Sequence, residues 1–342
     1  MHALTSSPAT DPAAIYRHRD ALYASDMLIV ALKELDFFSW LAAGPQTVDA
    51  ICGHFNFRAR PVDVMTTLFV ASGWLRRDGR ELHLTESARE HLVRDSPWFI
   101  GPYFPPVKDR PIAADLLECL KTGKPANFAS RKDHADWHQA METPDFAREF
   151  TSMMDCRGVL LAQALAKQLD LGGRSRLLDI AGGSGVYACS LCAHFPELRA
   201  SVLEKPPVDQ IAAQSIQERG LGGRVDVVAQ DMLTRRFPEG YDMHLLSNVL
   251  HDWDVILVRK LLQSSAVALE QGGWLIVHDA FLNADKTGPL TVAEYSVLLM
   301  HVTQGRCYSV REITDWAAEA GLKLLRQAPS AAGRSALVFE KE

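Results

Sequence analysis

No stretch of this 342-residue sequence carries the ~18 consecutive apolar residues of a membrane-spanning helix, so no membrane partner is expected. Basic residues are outnumbered. The 36 Lys and Arg face 42 Asp and Glu, and a net charge of −6 argues against nucleic acid as the main partner, since phosphate backbones ask for a basic surface. Cysteine is sparse: Cys52, Cys119, Cys156, Cys189, Cys192 and Cys307 lie scattered, without the spacing of a disulfide framework, and imply a reduced, cytoplasmic protein with free thiols. The opening residues MHALTSSPATDPAA lack the basic-then-apolar order of a signal peptide and are expected to form a disordered leader. Internal repeats and low-complexity tracts are absent too. What remains is a globular composition, 47% apolar and 23% charged, which can build a core without metals or disulfides, over a length that favours two domains.

The first hundred residues read as helices followed by a hairpin. Ala21–Leu41 is apolar on more than one side (Leu22, Met27, Leu28, Val30, Leu32, Leu35, Phe37, Phe38, Leu41), which predicts one long helix packed against several neighbours. Thr47 sits as an N-cap before a short helix to about Phe55, and Pro61 suits the first turn of a third helix ending near Gly73. Trp74–Leu84 then reads strand, Asp78-Gly79 turn, strand, with Thr85 capping the next helix. Three helices and a hairpin make a winged helix. DNA binding is one use of that fold, but the third helix lacks a basic face: Arg58 and Arg60 flank its start, Asp63 follows and the rest is apolar. A scaffold that pairs subunits is the better reading.

Between Pro97 and Pro125 the chain turns proline-rich and irregular, as at a domain junction. Helices are expected again over Ala135–Met141 and Pro144–Leu169. From Arg176 the pattern becomes strand–helix alternation, with strands at Arg176–Ile180, Ala200–Glu204, Val225–Val228, Tyr241–Leu246 and Gly273–His278. The helices between and after them fit Val208–Arg219, Val255–Ala268 and Val310–Ala320. Such alternation predicts an α/β domain with a parallel sheet. Lys323–Gln327 and Ser335–Glu340 read as an antiparallel hairpin closing it. The expected division is 1–105, 106–170 and 171–342.

The chemistry concentrates in Leu178-Asp-Ile-Ala-Gly-Gly-Ser-Gly-Val186, which places glycines between a strand and a helix, where a ligand can approach the backbone and use the N–H groups of the helix start. Dinucleotide-binding enzymes use similar turns, but with G-x-G-x-x-G spacing; here an acid precedes the turn instead. Glu204 ends the next strand, where a carboxylate can accept both ribose hydroxyls, and Asp231 with Met232 follows the third strand, where an acid and an apolar side chain can grip an adenine.

With Leu250-His-Asp-Trp253, these motifs carry a resemblance. Residues 176–342 resemble the catalytic domain of class I S-adenosylmethionine (SAM)-dependent methyltransferases, with their Rossmann-like sheet. The whole chain resembles the two-domain small-molecule O-methyltransferases, which include plant caffeate-type enzymes, acetylserotonin methyltransferase and bacterial natural-product enzymes. The resemblance implies SAM as cofactor, S-adenosylhomocysteine as product, an aromatic small-molecule acceptor, no metal, and a homodimer through an N-terminal winged-helix dimerisation domain. It implies that Ala181, Gly182, Gly183 and Gly185 hold the methionine portion of the cofactor, Glu204 the ribose, and Asp231 and Met232 the adenine, with a further contact from Ser247. His251 matches the family's general base and Asp279 the carboxylate that orients it. Met154, Asp252, Leu298, Val302 and Cys307 fall to the acceptor pocket, beside the 106–170 linker. Some positions depart from the family: Ala181 stands where glycine is common, Ser247 where a polar or basic residue precedes the His-Asp-Trp motif, Asp279 where plant members carry glutamate, and Cys307 where they carry a second glutamate.

His251 also has a physical case of its own. A phenol with a reference pKa near ~10 is a poor nucleophile at neutral pH, and an imidazole titrating near ~6.5 can take its proton as the oxygen attacks the sulfonium methyl. His134, His138, His194, His244 and His278 have no comparable context, and His301 lies near the presumed pocket. Cys189-x-x-Cys192 has metal-ligand spacing but no second pair, which favours helix packing. Other readings stay open: C- or N-methylation on the same scaffold, SAM binding with non-methylating chemistry, and a winged-helix DNA-binding regulator. The sequence does not name the acceptor.

Overall fold

The computed structural model describes residues 2–6, 8–126 and 137–342. The chain divides into two compact units, one formed by Ile15–Asp136 with Leu282–Ser309, the other by Met1–Ala14, Trp137–Phe281 and Val310–Glu342.

In the first unit, helices Ala24–Lys33, Phe37–Leu41, Val48–Phe55 and Ala59–Ala71 accompany a small antiparallel sheet of order β1-β3-β2, with β1 at Gln46–Thr47, β2 at Leu75–Asp78 and β3 at Glu81–Leu84. The single long helix expected over Ala21–Leu41 is broken. Asp36 lies in the left-handed region (φ 46°), and the turn it makes lets Phe37 and Phe38 fold back against Phe69 and Trp74. The two threonine caps form as expected: the Thr47 hydroxyl accepts from the Ala50 N–H at 3.2 Å and Thr85 from Ala88 at 3.3 Å. The proline-rich junction is not wholly irregular, because Pro111–Thr122 is a helix whose Ala113, Leu116, Cys119 and Leu120 are buried.

Residues 282–309, distant in sequence, complete this unit. Helix Leu290–Val302 packs against helix Ala59–Ala71. Arg60 ties the turn that follows it, donating to the carbonyls of Thr303 (3.2 Å), Gly305 (2.7 Å) and Gly123 (3.0 Å).

The second unit is built on a seven-stranded sheet comprising β4 (Arg176–Ile180), β5 (Arg199–Glu204), β6 (Val225–Ala229), β7 (Met243–Ser247), β8 (Trp274–Asp279), β9 (Leu322–Pro329) and β10 (Ser335–Lys341). Its order is β6-β5-β4-β7-β8-β10-β9, parallel from β6 to β8 and closed by the antiparallel β9/β10 hairpin. The central strands are apolar nearly throughout, with Leu177, Leu178, Val202, Leu245 and Ile276 buried, as a sheet covered on both faces requires. After β6 the chain returns to the opposite side of β4, so β4 and β7 are neighbours at the switch point where open α/β sheets hold ligands.

The expected disordered leader is corrected: His2–Thr5 is helical, and Leu4 is buried in the core that includes Leu161, Val186 and Leu191. Of the helix expected over Ala135–Met141, the first two residues lie outside the described ones and Trp137–Ala140 is helical. No described helix is long and apolar enough to cross a membrane.

Candidate active site

The site residues of the sheet unit gather at the C-terminal edges of β4, β5, β6, β7 and β8. The turn after β4 is tight. Ala181 sits at φ 53° and Gly185, which opens helix Val186–His194, at φ 74°. An alanine in the left-handed region costs about 1 kcal/mol, which glycine at this position would avoid. Gly182 has no such latitude in size, because a Cβ there would stand 2.6 Å from the Asp179 carboxylate. Burial pushes that carboxyl up to about 7, against the Ala188 N–H donated to it at 3.2 Å.

Glu204 reaches back to the same turn. Its Oε1 accepts from the Gly183 N–H at 2.9 Å and its Oε2 from Lys205 at 3.2 Å. Burial pushes it up to about 7 in spite of both bonds. Asp231 lies one strand further along and accepts from the Leu233 N–H at 2.7 Å, with Met232 beside it, half-buried. Ser247 ends β7, and its hydroxyl lies 3.0 Å from His278 Nδ1. The glycine turn is held from outside as well: Asp155, on helix Pro144–Gln168, accepts from the Ser184 hydroxyl and, at 2.5 Å, from Arg219.

Four residues past β7, His251 occupies a short 3-10 turn (Leu250–Asp252) and is only 4% exposed. Its Nδ1 lies 2.5 Å from Asp279 Oδ1, at the end of the adjacent β8, so parallel pairing of β7 with β8 sets the two side chains together. Burial alone would raise the Asp279 carboxyl. The His251 imidazole, the Ala280 N–H (2.8 Å) and Arg334 outweigh it and hold the carboxyl below its ordinary range. A carboxylate on Nδ1 fixes the tautomer with the proton there and leaves the Nε2 lone pair as the acceptor. Asp252 Oδ1 stands 3.6 Å from Nε2, and burial pushes its carboxyl up to about 6 against the pull of His251.

The residues assigned to the acceptor pocket fall in both units. Met154, half-buried on helix Pro144–Gln168, and Asp252 belong to the sheet unit. Leu298, Val302 and Cys307 belong to the other, where Cys307 is fully buried and donates its N–H to the Ser296 hydroxyl at 3.1 Å. Cys189 and Cys192 are buried on helix Val186–His194, and burial pushes their thiols up to about 12 and about 11, which suits packing.

Sequence reasoning missed a polar cluster at the β7 end. Tyr187, Asn248, His278 and Ser330 join Ser247 in it. They come from four separate segments and share no motif, and only the oddity of a buried histidine on an apolar strand hinted at them.

Residues 114–323 match the model of a known family, the O-methyltransferase domain. The 3-hydroxy-5-methyl-1-naphthoate 3-O-methyltransferase of Streptomyces sahachiroi is 31% identical over 301 residues, 87% of this chain and 86% of the relative. Among solved structures, the O-methyltransferase family 2 protein of Planctomyces limnophilus in complex with apigenin superposes with a TM-score of 0.88 at 31% identity, over 99% of this chain and 98% of that one. Human N-acetylserotonin methyltransferase in complex with SAM shares the fold, with a TM-score of 0.61 at 19% identity over 98% of this chain and 99% of that one.

Proposed function

The chain belongs to the O-methyltransferase family and is a SAM-dependent O-methyltransferase, and on that premise we propose that His251 is its general base and a phenol-bearing planar small molecule its acceptor. The single observation that carries the base assignment is the buried imidazole with its Nδ1 2.5 Å from Asp279 Oδ1. The acceptor class rests on the relatives, one named for a hydroxynaphthoate and one solved with apigenin.

The residues present fit the cofactor. Nothing among the described residues stands within 4 Å of where a Cβ of Gly183 would lie, which leaves the turn open to a ligand, and each Glu204 oxygen accepts a backbone N–H with a lone pair to spare for a ribose hydroxyl. The proposed binding set is Ala181, Gly182, Gly183 and Gly185 for the methionine portion, Glu204 for the ribose, Asp231 and Met232 for the adenine, and Ser247 at the edge. Bound SAM supplies a methyl group on a positively charged sulfur, an electrophile that needs only an aligned oxygen. Asp279 holds the imidazole in place, His251 Nε2 takes the phenol proton, and Asp279 then stabilises the imidazolium. Met154 and Asp252, both of the sheet unit, are proposed to contact the acceptor. Incubation with methyl-labelled SAM and a panel of hydroxynaphthoates and flavones, followed by mass spectrometry, tests this directly. One labelled methyl on a phenolic oxygen is expected; labelled product on carbon or nitrogen alone would refute it.

Glu204 yields a pH prediction. A carboxyl raised to about 7 in the unliganded protein is protonated below that pH, and ribose hydroxyls favour its ionised form. S-adenosylhomocysteine should therefore bind more tightly as pH rises through about 7, whereas Glu204→Gln should bind about tenfold more weakly and lose the pH dependence. The sign for stability is the reverse: a raised acid pKa means the folded state holds more protons, so the unliganded protein loses stability as pH rises from about 4.5 through about 7. Calorimetric titration across this range checks the first and thermal melting the second.

The first unit is proposed to be the winged-helix dimerisation domain of a cytoplasmic homodimer. It exposes Leu22 (56%), Trp98 (64%) and Tyr103 (91%), apolar side chains of the kind a partner subunit would cover. Light scattering at micromolar concentration should give twice the 37.9 kDa chain mass, and a monomer mass would contradict this.

A further inference from the structure

Asn248 stands one residue past β7, between Ser247 and the His251 turn, with its backbone in the left-handed region (φ 54°). Its side-chain nitrogen donates to the Tyr187 hydroxyl at 3.0 Å and to Ser247 Oγ at 3.2 Å. Its side-chain oxygen is buried and has no hydrogen-bond partner among the described residues. A buried acceptor left unmade costs about 1–3 kcal/mol, so a protein that keeps one has a donor arriving from elsewhere or accepts the loss.

The surrounding bonds decide which end of the amide must face outward. Ser330 donates its hydroxyl proton to the Arg334 carbonyl at 3.1 Å, so toward His278 Nε2, at 2.7 Å, it acts as acceptor. His278 is buried, which pushes its imidazole down to about 3 and keeps it neutral; with its one proton on Nε2, Nδ1 is an acceptor. Ser247 therefore gives its proton to His278 Nδ1 across 3.0 Å and becomes an acceptor toward its other neighbours. Burial pushes the Tyr187 hydroxyl up, so that it stays protonated, and its oxygen accepts from the Asn248 amide at 3.0 Å. Ser247 thus offers a lone pair to Asn248, and the amide turns its NH2 to it and to the Tyr187 hydroxyl. A relay anchored on the Arg334 carbonyl ends, four side chains later, in an exclusively accepting oxygen.

The place of that oxygen narrows its ligand. Tyr187, which orients the amide, lies in the first turn of the helix opened by Gly185, directly behind the glycine turn, and β7 is the strand beside β4. The cofactor portion proposed for this turn carries two charged groups, a carboxylate and an ammonium. An accepting oxygen repels the first and receives the second.

We propose that Asn248 is a cofactor-binding residue whose side-chain oxygen accepts a hydrogen bond from the α-ammonium group of the bound cofactor, in an orientation imposed by Tyr187, Ser247, His278 and Ser330. This rests on the SAM-dependence stated above. It makes Tyr187 a positioning residue and explains why a non-glycine residue is held at φ 54°: asparagine tolerates that region and brings the oxygen with it.

Equilibrium binding of two ligands tests the proposal without turnover: S-adenosylhomocysteine and its deaminated analogue, which keeps the carboxylate but replaces the amino group by hydrogen. Asn248→Gly suits the left-handed backbone and removes the oxygen. It should bind S-adenosylhomocysteine about tenfold or more weakly than the parent while leaving affinity for the deaminated analogue unchanged. Tyr187→Phe keeps the asparagine but loosens it, and should weaken S-adenosylhomocysteine alone by a smaller factor. An unchanged affinity for S-adenosylhomocysteine in both variants, or an equal loss for both ligands, overturns the assignment. A parent protein that binds neither ligand would instead overturn the cofactor reading itself.

Discussion

Replacing His251 by alanine is expected to lower turnover roughly 100-fold or more while leaving S-adenosylhomocysteine affinity nearly unchanged. The two readouts separate because the proposed cofactor contacts lie on the turns after β4, β5 and β6 and at Ser247 and Asn248 at the end of β7, whereas His251 is not among them and is paired to Asp279 at the end of β8. The substitution also leaves Asp279 buried without its imidazole, which costs about 3–5 kcal/mol of stability, so the melting temperature should fall as well. Binding calorimetry on the folded variant tells lost chemistry from lost structure. Parental turnover in His251→Ala would remove the base assignment and leave alignment of the two substrates as the source of rate.

Asp279→Asn should cost on the order of 100-fold in turnover with an intact cofactor site. The carboxylate now accepts at 2.5 Å from Nδ1 and so places the imidazole proton on that side. An asparagine can offer its NH2 there instead, which moves the ring proton to Nε2 and turns the acceptor atom into a donor. Because the fault lies in the tautomer and not in the imidazole itself, the variant should keep its melting temperature better than His251→Ala does. Steady-state kinetics together with thermal melting checks both halves. Equal turnover in Asp279→Asn and the parent would mean that the carboxylate only fills space.

The parts of the fold legible in the sequence were those fixed by short-range physics. Thr47 and Thr85 announce helix starts because a hydroxyl caps the N–H three residues on, and both bonds form. The glycine turn is legible because strand, acid and small residues are contiguous, and the clash that a Cβ at Gly182 would make with Asp179 is three residues long. His251 and Asp279 lie 28 residues apart, one four residues past β7 and the other at the end of the neighbouring parallel β8, and it was the resemblance to the family that paired them in the sequence.

Distant packing was not legible. Nothing in Ala21–Leu41 marks Asp36 as a break, since the turn is stabilised by where Phe37 and Phe38 pack, against Phe69 and Trp74. Leu4 looks like part of a leader until Leu161 and Val186 are brought to it. The segment 282–309 joins the N-terminal helices only because Arg60 and helix Ala59–Ala71 receive it. His278 resembles an ordinary strand residue until Ser247 and Ser330 flank its two nitrogens. A long-range hydrogen-bond relay leaves no periodicity to read.

The claim that His251 removes the acceptor proton is tested most directly by rates for a series of ring-substituted phenols of graded acidity, measured at one pH and saturating SAM in the parent and in His251→Ala. A phenol more acidic than the medium is already ionised and needs no base, whereas each unit of higher pKa leaves about tenfold less phenolate. The ratio of parent to variant rates is predicted to be large for weakly acidic phenols, to shrink steadily with acidity and to approach one for those already ionised. A ratio that stays constant across the series would contradict the account.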